Sequence, residues 1–247
     1  GKKLDRATPS IYNAAFNSVQ MWDGRKSSLE DQATGPMDSP NEMAADYDAM
    51  FTFLKGTPGY ASAFAKAYPG EPIDKVTLSK AIASFERTIV SNNSRFDRWL
   101  RGEPNQLTAR EVHGFRVFLD PDKGNCATCH KAPNFTDNGF HNIGLYSYGV
   151  DTPDVGRFAI KPVKLMNGAF KTPSLRNAGR ESHYFHDGSV STLEEVVDHY
   201  VRGGDIKTNL SPNIKPLNLS DDEKRDLVAF LHSLDNEATP VTFPELP

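Results

Sequence analysis

The feature that most constrains this chain is a pair of cysteines three residues apart, followed directly by a histidine: Cys126, Cys129 and His130. These are the chain's two cysteines, so a disulfide framework is excluded. The C-x-x-C-H spacing is the attachment signature of c-type haem, in which both thiols form thioethers and the histidine coordinates iron. A zinc site needs four ligands, and a thioredoxin-like pair opens a helix after a strand; neither pattern accompanies this motif. The sequence therefore predicts one covalent haem c, with His130 as an axial ligand.

The motif and the composition together restrict the compartment and the partners. Haem c is matured outside the cytosol, so we expect a periplasmic protein if the source is bacterial. The chain starts at Gly1 without an apolar signal region, and we expect a targeting segment to have been removed. Lys plus Arg number 28 against 32 Asp plus Glu, which excludes a nucleic-acid binder that works by bulk positive charge. No apolar run approaches the roughly 18 residues of a membrane-spanning helix, so no span is predicted.

Most of the regular structure that the sequence indicates is helical. Apolar residues recur at i, i+3, i+4 and i+7 in two segments, which predicts a buried helical face in each. These sets are Leu193, Val196, Val197 and Tyr200, and Leu227, Phe230, Leu231 and Leu234. Further helices are predicted at residues 77–90, from Ile82, Phe85 and Ile89, and near 42–54 and 108–119. Capping boxes are predicted at Ser27–Glu30, Thr108–Glu111, Thr192–Glu195 and Ser220–Glu223.

The segment between Cys129 and Thr192 lacks this periodicity and is rich in Gly, Pro, Asn and Asp. About 60 residues without much regular structure are unusual in a compact domain, and they are explained if the segment wraps something other than protein. A polar turn at residues 101–104 marks a boundary. We therefore predict an all-α fold of two cytochrome c-like helical domains with long irregular haem-wrapping loops. Residues 1–101 form the N-terminal domain and residues 102–247 the C-terminal cytochrome c domain.

The second axial ligand of the haem iron must be an inward-facing side chain. Tyr200 lies on the apolar stripe of its helix, whereas His199 lies off it. A tyrosine in such a stripe is more often simply part of the core. The pattern therefore leaves the choice open among Met166, His141, His183, His186, His199 and Tyr200.

Several blocks along the chain match one known family in order. They are Tyr12–Asn17, Trp22–Arg25, Leu29–Ala33, Gly35–Pro36, Asn41–Met43, Cys126–His130, Lys171–Asn177, Tyr184–Gly188 and Leu193–Val197. On these residues the chain resembles the bacterial dihaem cytochrome c peroxidases and the related MauG enzymes. The resemblance runs along essentially the whole sequence and implies an oxidoreductase that uses hydrogen peroxide.

The family carries two haems, and the resemblance assigns the single motif here to the C-terminal, electron-relaying one. A second haem is expected in the intact protein, with its motif before Gly1. The resemblance also implies that Glu42 is the acid–base carboxylate above the peroxide iron, that Gln32 is the distal amide and that Trp22 lies between the haems. Without the family, Glu42 would be a first-turn helix carboxylate, Gln32 a surface polar residue and Trp22 a core residue.

Tyr200 distinguishes two groups within the family. The peroxidases proper have Met at the matching point as the second axial ligand, and MauG-like members have Tyr. A phenolate stabilises ferric over ferrous iron, which favours oxidation of a partner over peroxide scavenging. We therefore expect a MauG-like enzyme in which Cys126, Cys129, His130 and Tyr200 hold the haem.

Three departures from the family pattern are present. Met21 replaces the usual Phe beside the tryptophan, and Gly124 replaces a surface Trp that MauG uses towards its own substrate. A side-chain amide that binds the family's inter-haem calcium falls at Ala7, which weakens the expectation of calcium. The residues that match the family's carbonyl ligands are Glu181 and His183, and Glu181 could compensate. The expected partners are hydrogen peroxide and an electron-donor protein or protein substrate, and a homodimer is allowed. The alternative is a mono-haem electron-transfer cytochrome without peroxidase activity.

Overall fold

The computed structural model describes residues 3–237 and 245–247. Its longer elements are helices joined by irregular chain. The helices are α1 (Leu29–Ala33), α2 (Gly35–Asp38), α3 (Tyr47–Gly56), α4 (Pro58–Ala67), α5 (Lys75–Glu86), α6 (Arg95–Leu100), α7 (Ala109–Leu119), α8 (Leu193–Arg202) and α9 (Asp221–Ser233). Two strands, β1 (Phe140–His141) and β2 (Phe170–Lys171), pair in antiparallel fashion, with Phe140 opposite Lys171.

The prediction of an all-α fold is wrong. The chain is 42% helical and 4% strand, and β1 and β2 form a small sheet inside the segment predicted to be irregular. This segment has few helical carbonyls to accept its N–H groups, so it satisfies them by pairing with distant chain. Thr172 N–H donates to the Gly139 carbonyl (2.9 Å), and Lys171 N–H donates to the Trp22 carbonyl (2.8 Å).

The C-terminal core forms where α7 crosses α9. The crossing is close because Gly114 has no side chain: a Cβ there would lie 1.9 Å from the Asp226 carbonyl oxygen. Phenylalanines fill the adjoining space, several of them edge-to-face with centroids 4.9–6.3 Å apart, a favourable aromatic geometry. They are Phe96, Phe115, Phe118, Phe135 and Phe230.

The N-terminal part is more loosely built. Helix α1 packs on α5, and a small cluster of Ala14, Leu29 and Ala83 lies between them. Helices α3 and α4 pack on each other, and neither contains a buried residue. The division into domains at residue 101 stays a prediction; Phe96 of α6 packs into the C-terminal core.

Several local predictions can be compared with the helices directly. The capping boxes at Thr108, Thr192 and Ser220 are confirmed. The box predicted at Ser27 is wrong, because Ser28 caps α1 and accepts the Asp31 N–H. The predicted helices over 77–90 and 42–54 are displaced, to α5 and α3 respectively. None of the helices in the described part of the chain is long and apolar enough to cross a membrane.

Candidate functional site

The cysteine motif lies in a tight turn directly after α7. Asn125 has a left-handed backbone (φ 50°) that starts a 3-10 turn over Cys126–Thr128, and the His130 N–H donates to the Cys126 carbonyl at 2.8 Å. Gly124 is required here, since a Cβ would lie 2.6 Å from the Val117 carbonyl oxygen. The turn therefore holds both thiols and the histidine on one short stretch of chain, and it leaves no room for a side chain at position 124.

Both cysteines, His130 and Tyr200 line a single cavity. Its walls come from α7, α8, α9 and the irregular segment, and most of the lining side chains are apolar. They include Phe118, Leu175, Leu193, Val197, Leu227 and Leu231. The structure therefore brings together the four residues that the sequence assigned to haem binding, although they are up to 74 residues apart in the chain.

The imidazole of His130 is oriented for metal binding. Its Nδ1 is 2.9 Å from the Phe135 carbonyl oxygen, and a carbonyl only accepts hydrogen bonds, so Nδ1 carries the proton. Nε2 is then the unprotonated nitrogen, the form that coordinates metals. Burial lowers the pKa of His130 below its usual value, which keeps the ring neutral and available as a ligand.

Tyr200 of α8 is one of the candidate second ligands that line this cavity. Burial raises the pKa of its phenol, and the two nearby cysteine thiols act in the same direction. The phenol is thus neutral unless a positive charge enters the cavity. His199, the neighbouring residue, is 2% exposed. Its two ring nitrogens face the Ile143 carbonyl (2.9 Å) and Asp205 (3.2 Å), so both are already engaged.

The remaining candidates for this ligand are less well placed. His183 is exposed and bonds to the adjacent Ser182. His186 also lines the cavity, but its ring is stacked on Phe170 with ring centroids 3.5 Å apart. Among the described residues, Met166 does not line the cavity.

His141 also lines the cavity, but its Nε2 is paired with Asp137 at 2.8 Å. These two side chains and Cys129 hold possible metal-ligand atoms within 4.8 Å of one another. However, burial raises the pKa of Cys129 to about 11, so the thiolate that metals require is disfavoured. A neutral thiol at this spacing suits thioether formation better than a zinc site, which needs a fourth ligand.

The lining of this cavity fits a covalent haem c. It offers two thiols at the attachment spacing, an unprotonated His130 Nε2 and apolar walls for a porphyrin. It also contains Lys171, which is 8% exposed. The Lys171 ammonium has one hydrogen bond in the structure, to the Thr172 carbonyl (3.1 Å), and burial lowers its pKa to about 8. A buried ammonium needs an anionic partner, and the haem's carboxylates are of that chemistry. The sequence reasoning did not single out Lys171 for this position.

A second cavity lies on the N-terminal side, and Gln32, Glu42 and Trp22 all line it. Gln32 is on α1, and Glu42 is exposed in the turn that follows α2. Glu42 is therefore not in a first helical turn, and its alternative interpretation as a helix-dipole carboxylate is wrong. The cavity is also lined by Glu86 of α5, a buried residue that the sequence analysis did not single out.

Trp22 lines both cavities. Its indole N–H donates to the Ala7 carbonyl at 2.8 Å, and its own carbonyl accepts from Lys171 N–H at 2.8 Å. The N-terminal segment thus holds the indole of Trp22, and β2 holds its backbone. Trp22 therefore forms part of the wall that the two cavities share.

Charged side chains hold the N-terminal segment against this wall. Arg6 bonds to Asp23 (2.7 Å) and Asp154 (2.6 Å). Burial alone lowers the pKa of Arg6, but the two carboxylates outweigh it and the net shift is upward. Arg6 is charged at any physiological pH, and the ion pairs fix the chain that contacts Trp22.

A cavity with this motif and lining belongs to a c-type haem protein, and the second cavity beside it adds a possible reaction site. The family model described as di-haem cytochrome c peroxidase matches residues 1–105. The methylamine utilization protein MauG of Methylorubrum extorquens is 44% identical over 245 residues, covering 99% of this chain and 68% of that protein. The cytochrome c551 peroxidase of Nitrosomonas europaea is 33% identical, covering 97% of this chain and 68% of that protein.

Solved structures agree with these sequence matches. The crystal structure of a MauG-like protein associated with microbial copper homeostasis superposes with a TM-score of 0.89 at 32% identity, covering 96% of this chain and 77% of that one. The chain therefore belongs to the dihaem cytochrome c peroxidase and MauG family. It is a c-type haem oxidoreductase of the peroxidase class, as the sequence analysis predicted.

Proposed function

We propose that this protein is a MauG-like peroxidase that takes oxidising equivalents from hydrogen peroxide and uses them to oxidise a protein or small electron donor. The observation that carries the proposal is the wall shared by two cavities. One cavity is lined by a haem-attachment motif, the other by Gln32 and Glu42, and Trp22 lines both.

In the C-terminal cavity, Cys126 and Cys129 would hold the haem covalently, and His130 and Tyr200 would coordinate its iron. When bound, the haem supplies a redox centre that stores and relays electrons. Tyr200 supports the MauG-like assignment, because an anionic oxygen ligand stabilises the oxidised over the reduced state of iron. The apolar walls exclude water, which strengthens the interaction of this phenolate with a positive charge.

The N-terminal cavity is proposed as the peroxide site, where a second haem binds in the intact protein through residues outside these 247. Splitting the O–O bond requires a proton to move from one peroxide oxygen to the other, and a carboxylate such as Glu42 can carry it. Glu42 is exposed on the cavity side of its turn, so its carboxylate is accessible to a small substrate. The amide of Gln32 can donate a hydrogen bond that orients the peroxide.

Trp22 is proposed as the electron route between the two cavities. Its indole N–H is already engaged with the Ala7 carbonyl, which holds the ring in one orientation. A fixed aromatic ring in the shared wall shortens the distance an electron must cross between the two redox centres.

We place the protein in the periplasm, since haem c is matured outside the cytosol, and we assign residues 1–101 to the peroxide-site domain and 102–247 to the electron-relay domain. The donor or substrate would be a protein or a small reductant.

The proposal is tested with protein produced from the whole gene. Two haems per polypeptide are expected by pyridine haemochrome assay. Glu42→Gln should slow peroxide reduction by about 10²–10⁴-fold, the range for acid–base groups, with haem content unchanged. Glu71→Gln is the matched control, because Glu71 is exposed and pairs with Lys80 on the surface; it should keep the parental rate.

A mono-haem electron carrier is the second candidate, and it is favoured by the presence of a single C-x-x-C-H motif in these 247 residues. It predicts one haem per polypeptide and no peroxide turnover. That result would exclude the peroxidase proposal for this protein.

A further inference from the structure

One buried carboxyl group has no role in the function proposed above. Glu86 is 8% exposed, and its Oε2 has no hydrogen-bond partner among the residues described. A buried polar atom without a partner costs free energy that the rest of the fold must offset. Such atoms are rare in native proteins, and one that faces a cavity invites a functional explanation.

Glu86 lies on the buried face of α5 although its side chain is polar. Ala83, one turn earlier on α5, is fully buried in the cluster with Ala14 and Leu29, so Glu86 continues the buried face. Its neighbour Phe85 is 61% exposed. The sequence analysis predicted Phe85 on the inner face, because hydrophobic burial normally selects the phenyl ring. Here the carboxyl group occupies the buried position and the phenyl ring is outside.

Glu86 lines the same cavity as Gln32 and Glu42. It reaches this cavity because α5 packs on α1, the helix that carries Gln32. Glu42 is exposed to solvent, whereas Glu86 is buried. Enzymes use such differences in surroundings to give two carboxyl groups of one site different roles.

The charged groups nearest Glu86 on the packed helices do not neutralise it. The guanidinium of Arg87 pairs with Glu30 of α1 at 2.8 Å. Burial raises the pKa of Glu86; Arg87 opposes this rise and Glu30 adds to it. The buried carboxyl therefore keeps its proton to a higher pH than a solvent-exposed glutamate would.

The cations of the cavity itself are also engaged. The charged residues lining it, besides Glu86, are Asp5, Arg6, Asp23, Arg25, Glu42 and Asp154. Arg6 and Arg25 both bond to Asp23, at 2.7 and 2.9 Å, and Arg6 also bonds to Asp154. Both arginines that line the cavity are therefore paired with carboxylates other than Glu86.

We propose that Glu86 is a proton-relay residue of this cavity: its carboxylic acid gives up a proton that peroxide reduction consumes and regains it from solvent. The proposal rests on the function proposed above and adds a proton source to it. Hydrogen peroxide takes up two electrons and two protons and yields two water molecules, the O–O bond breaking as two O–H bonds form. The electrons come from the donor, and Glu86 supplies one of the two protons. Glu42 only moves a proton between the peroxide oxygens.

The kinetic test uses haem-loaded protein from the whole gene and three variants: Glu86→Gln, Glu86→Asp and the surface control Glu71→Gln. Glu86→Gln should lower kcat by about 10²-fold, the low end for acid–base groups, and leave KM near the parental value. Glu86→Asp should restore much of the rate because it can still carry a proton. The parental kcat should decline as pH rises through the pKa of Glu86, and this step should vanish in the Gln variant; a purely structural role would leave the pH profile unmoved.

A second measurement does not depend on activity. Infrared difference spectra between the parent and Glu86→Gln should contain a protonated-carboxyl C=O band that persists to a higher pH than the band of a solvent-exposed glutamate and disappears as pH rises further. Because the pKa of Glu86 is raised on folding, the parent loses stability as pH rises through that folded-state pKa. The Gln variant has no such group, so the urea concentration at its unfolding midpoint should increase relative to that of the parent as pH rises.

The outcomes separate the relay from the peroxidase itself. If Glu42→Gln slows peroxide reduction while Glu86→Gln keeps the parental kcat and pH profile, the relay is overturned and the peroxidase stands. A carboxyl band that is lost at the pH of a solvent-exposed glutamate also overturns the relay. If the parent protein reduces no peroxide, the proposed function fails and the relay fails with it.

Discussion

The crossing of α7 and α9 gives a prediction whose size can be worked out from the structure. In Gly114→Ala, the new Cβ would lie 1.9 Å from the Asp226 carbonyl oxygen and 2.4 Å from its carbon. Both obstructing atoms are backbone, so no side chain can rotate away and α9 itself must shift. Overpacking costs about 1–3 kcal/mol, and a clash with backbone belongs at the upper end of this range.

The net effect includes one opposing contribution. Replacing a helical glycine by alanine returns about 1 kcal/mol through helix propensity, so about 2 kcal/mol of destabilisation remains. For a protein of this size each kcal/mol lowers Tm by roughly 2–4 °C, which predicts a drop of about 4–8 °C. The haem spectrum should change too, because Phe118 of α7 and Leu227 of α9 line the cavity.

The assay is thermal unfolding of the haem-loaded protein, followed by far-UV circular dichroism and by haem absorption. Gly56→Ala is the matched control, because Gly56 is also helical but a Cβ there meets no atom within 4 Å. It should melt at or slightly above the parental Tm. If Gly114→Ala has the same Tm as the parent and the control, α7 and α9 do not cross as closely as the structure shows.

Two further predictions concern a buried ion pair and the shared wall. Asp97 bonds to both terminal nitrogens of Arg176, at 2.8 and 2.9 Å, and Asp97→Asn should cost about 3–5 kcal/mol in urea unfolding at pH 7, since it leaves a buried charge unpaired. Burial alone raises the pKa of Asp97, but Arg176 and Ser94 lower it overall. The parent should therefore lose this stability only as pH falls through that lowered pKa. The variant should show no such step. Trp22→Phe removes the hydrogen bond to the Ala7 carbonyl. After one equivalent of peroxide is added, electron exchange between the two haems, followed by absorption spectra, should slow sharply at unchanged haem content. An equal rate in variant and parent would make Trp22 a packing residue.

Local signals in the sequence predicted the local structure well. The capping boxes at Thr108, Thr192 and Ser220 start helices where predicted, because their hydrogen bonds join residues three apart. The pairing of Phe140 with Lys171 was missed, since two-residue strands far apart in the chain leave no periodic signal.

The candidate site was predictable only in part. Periodicity placed Tyr200 on the inner face of α8, and the resemblance supplied Trp22, Gln32 and Glu42. That Trp22 lines two cavities depends on how the irregular segment returns to the N-terminal part, and no local pattern encodes this. The sequence analysis did not identify Glu86, because hydrophobicity favours its neighbour Phe85 for the buried position.

The most direct test of the account is the identity of the second axial ligand. Optical and electron paramagnetic resonance spectra of the oxidised protein should be compared for the parent, Tyr200→Phe and Met166→Leu. We expect Tyr200→Phe to open the iron site and give a high-spin spectrum, while Met166→Leu retains the parental spectrum, because Tyr200 lines the cavity and Met166 does not. A changed spectrum in Met166→Leu together with a parental spectrum in Tyr200→Phe would contradict the MauG-like assignment and establish a His/Met haem in its place.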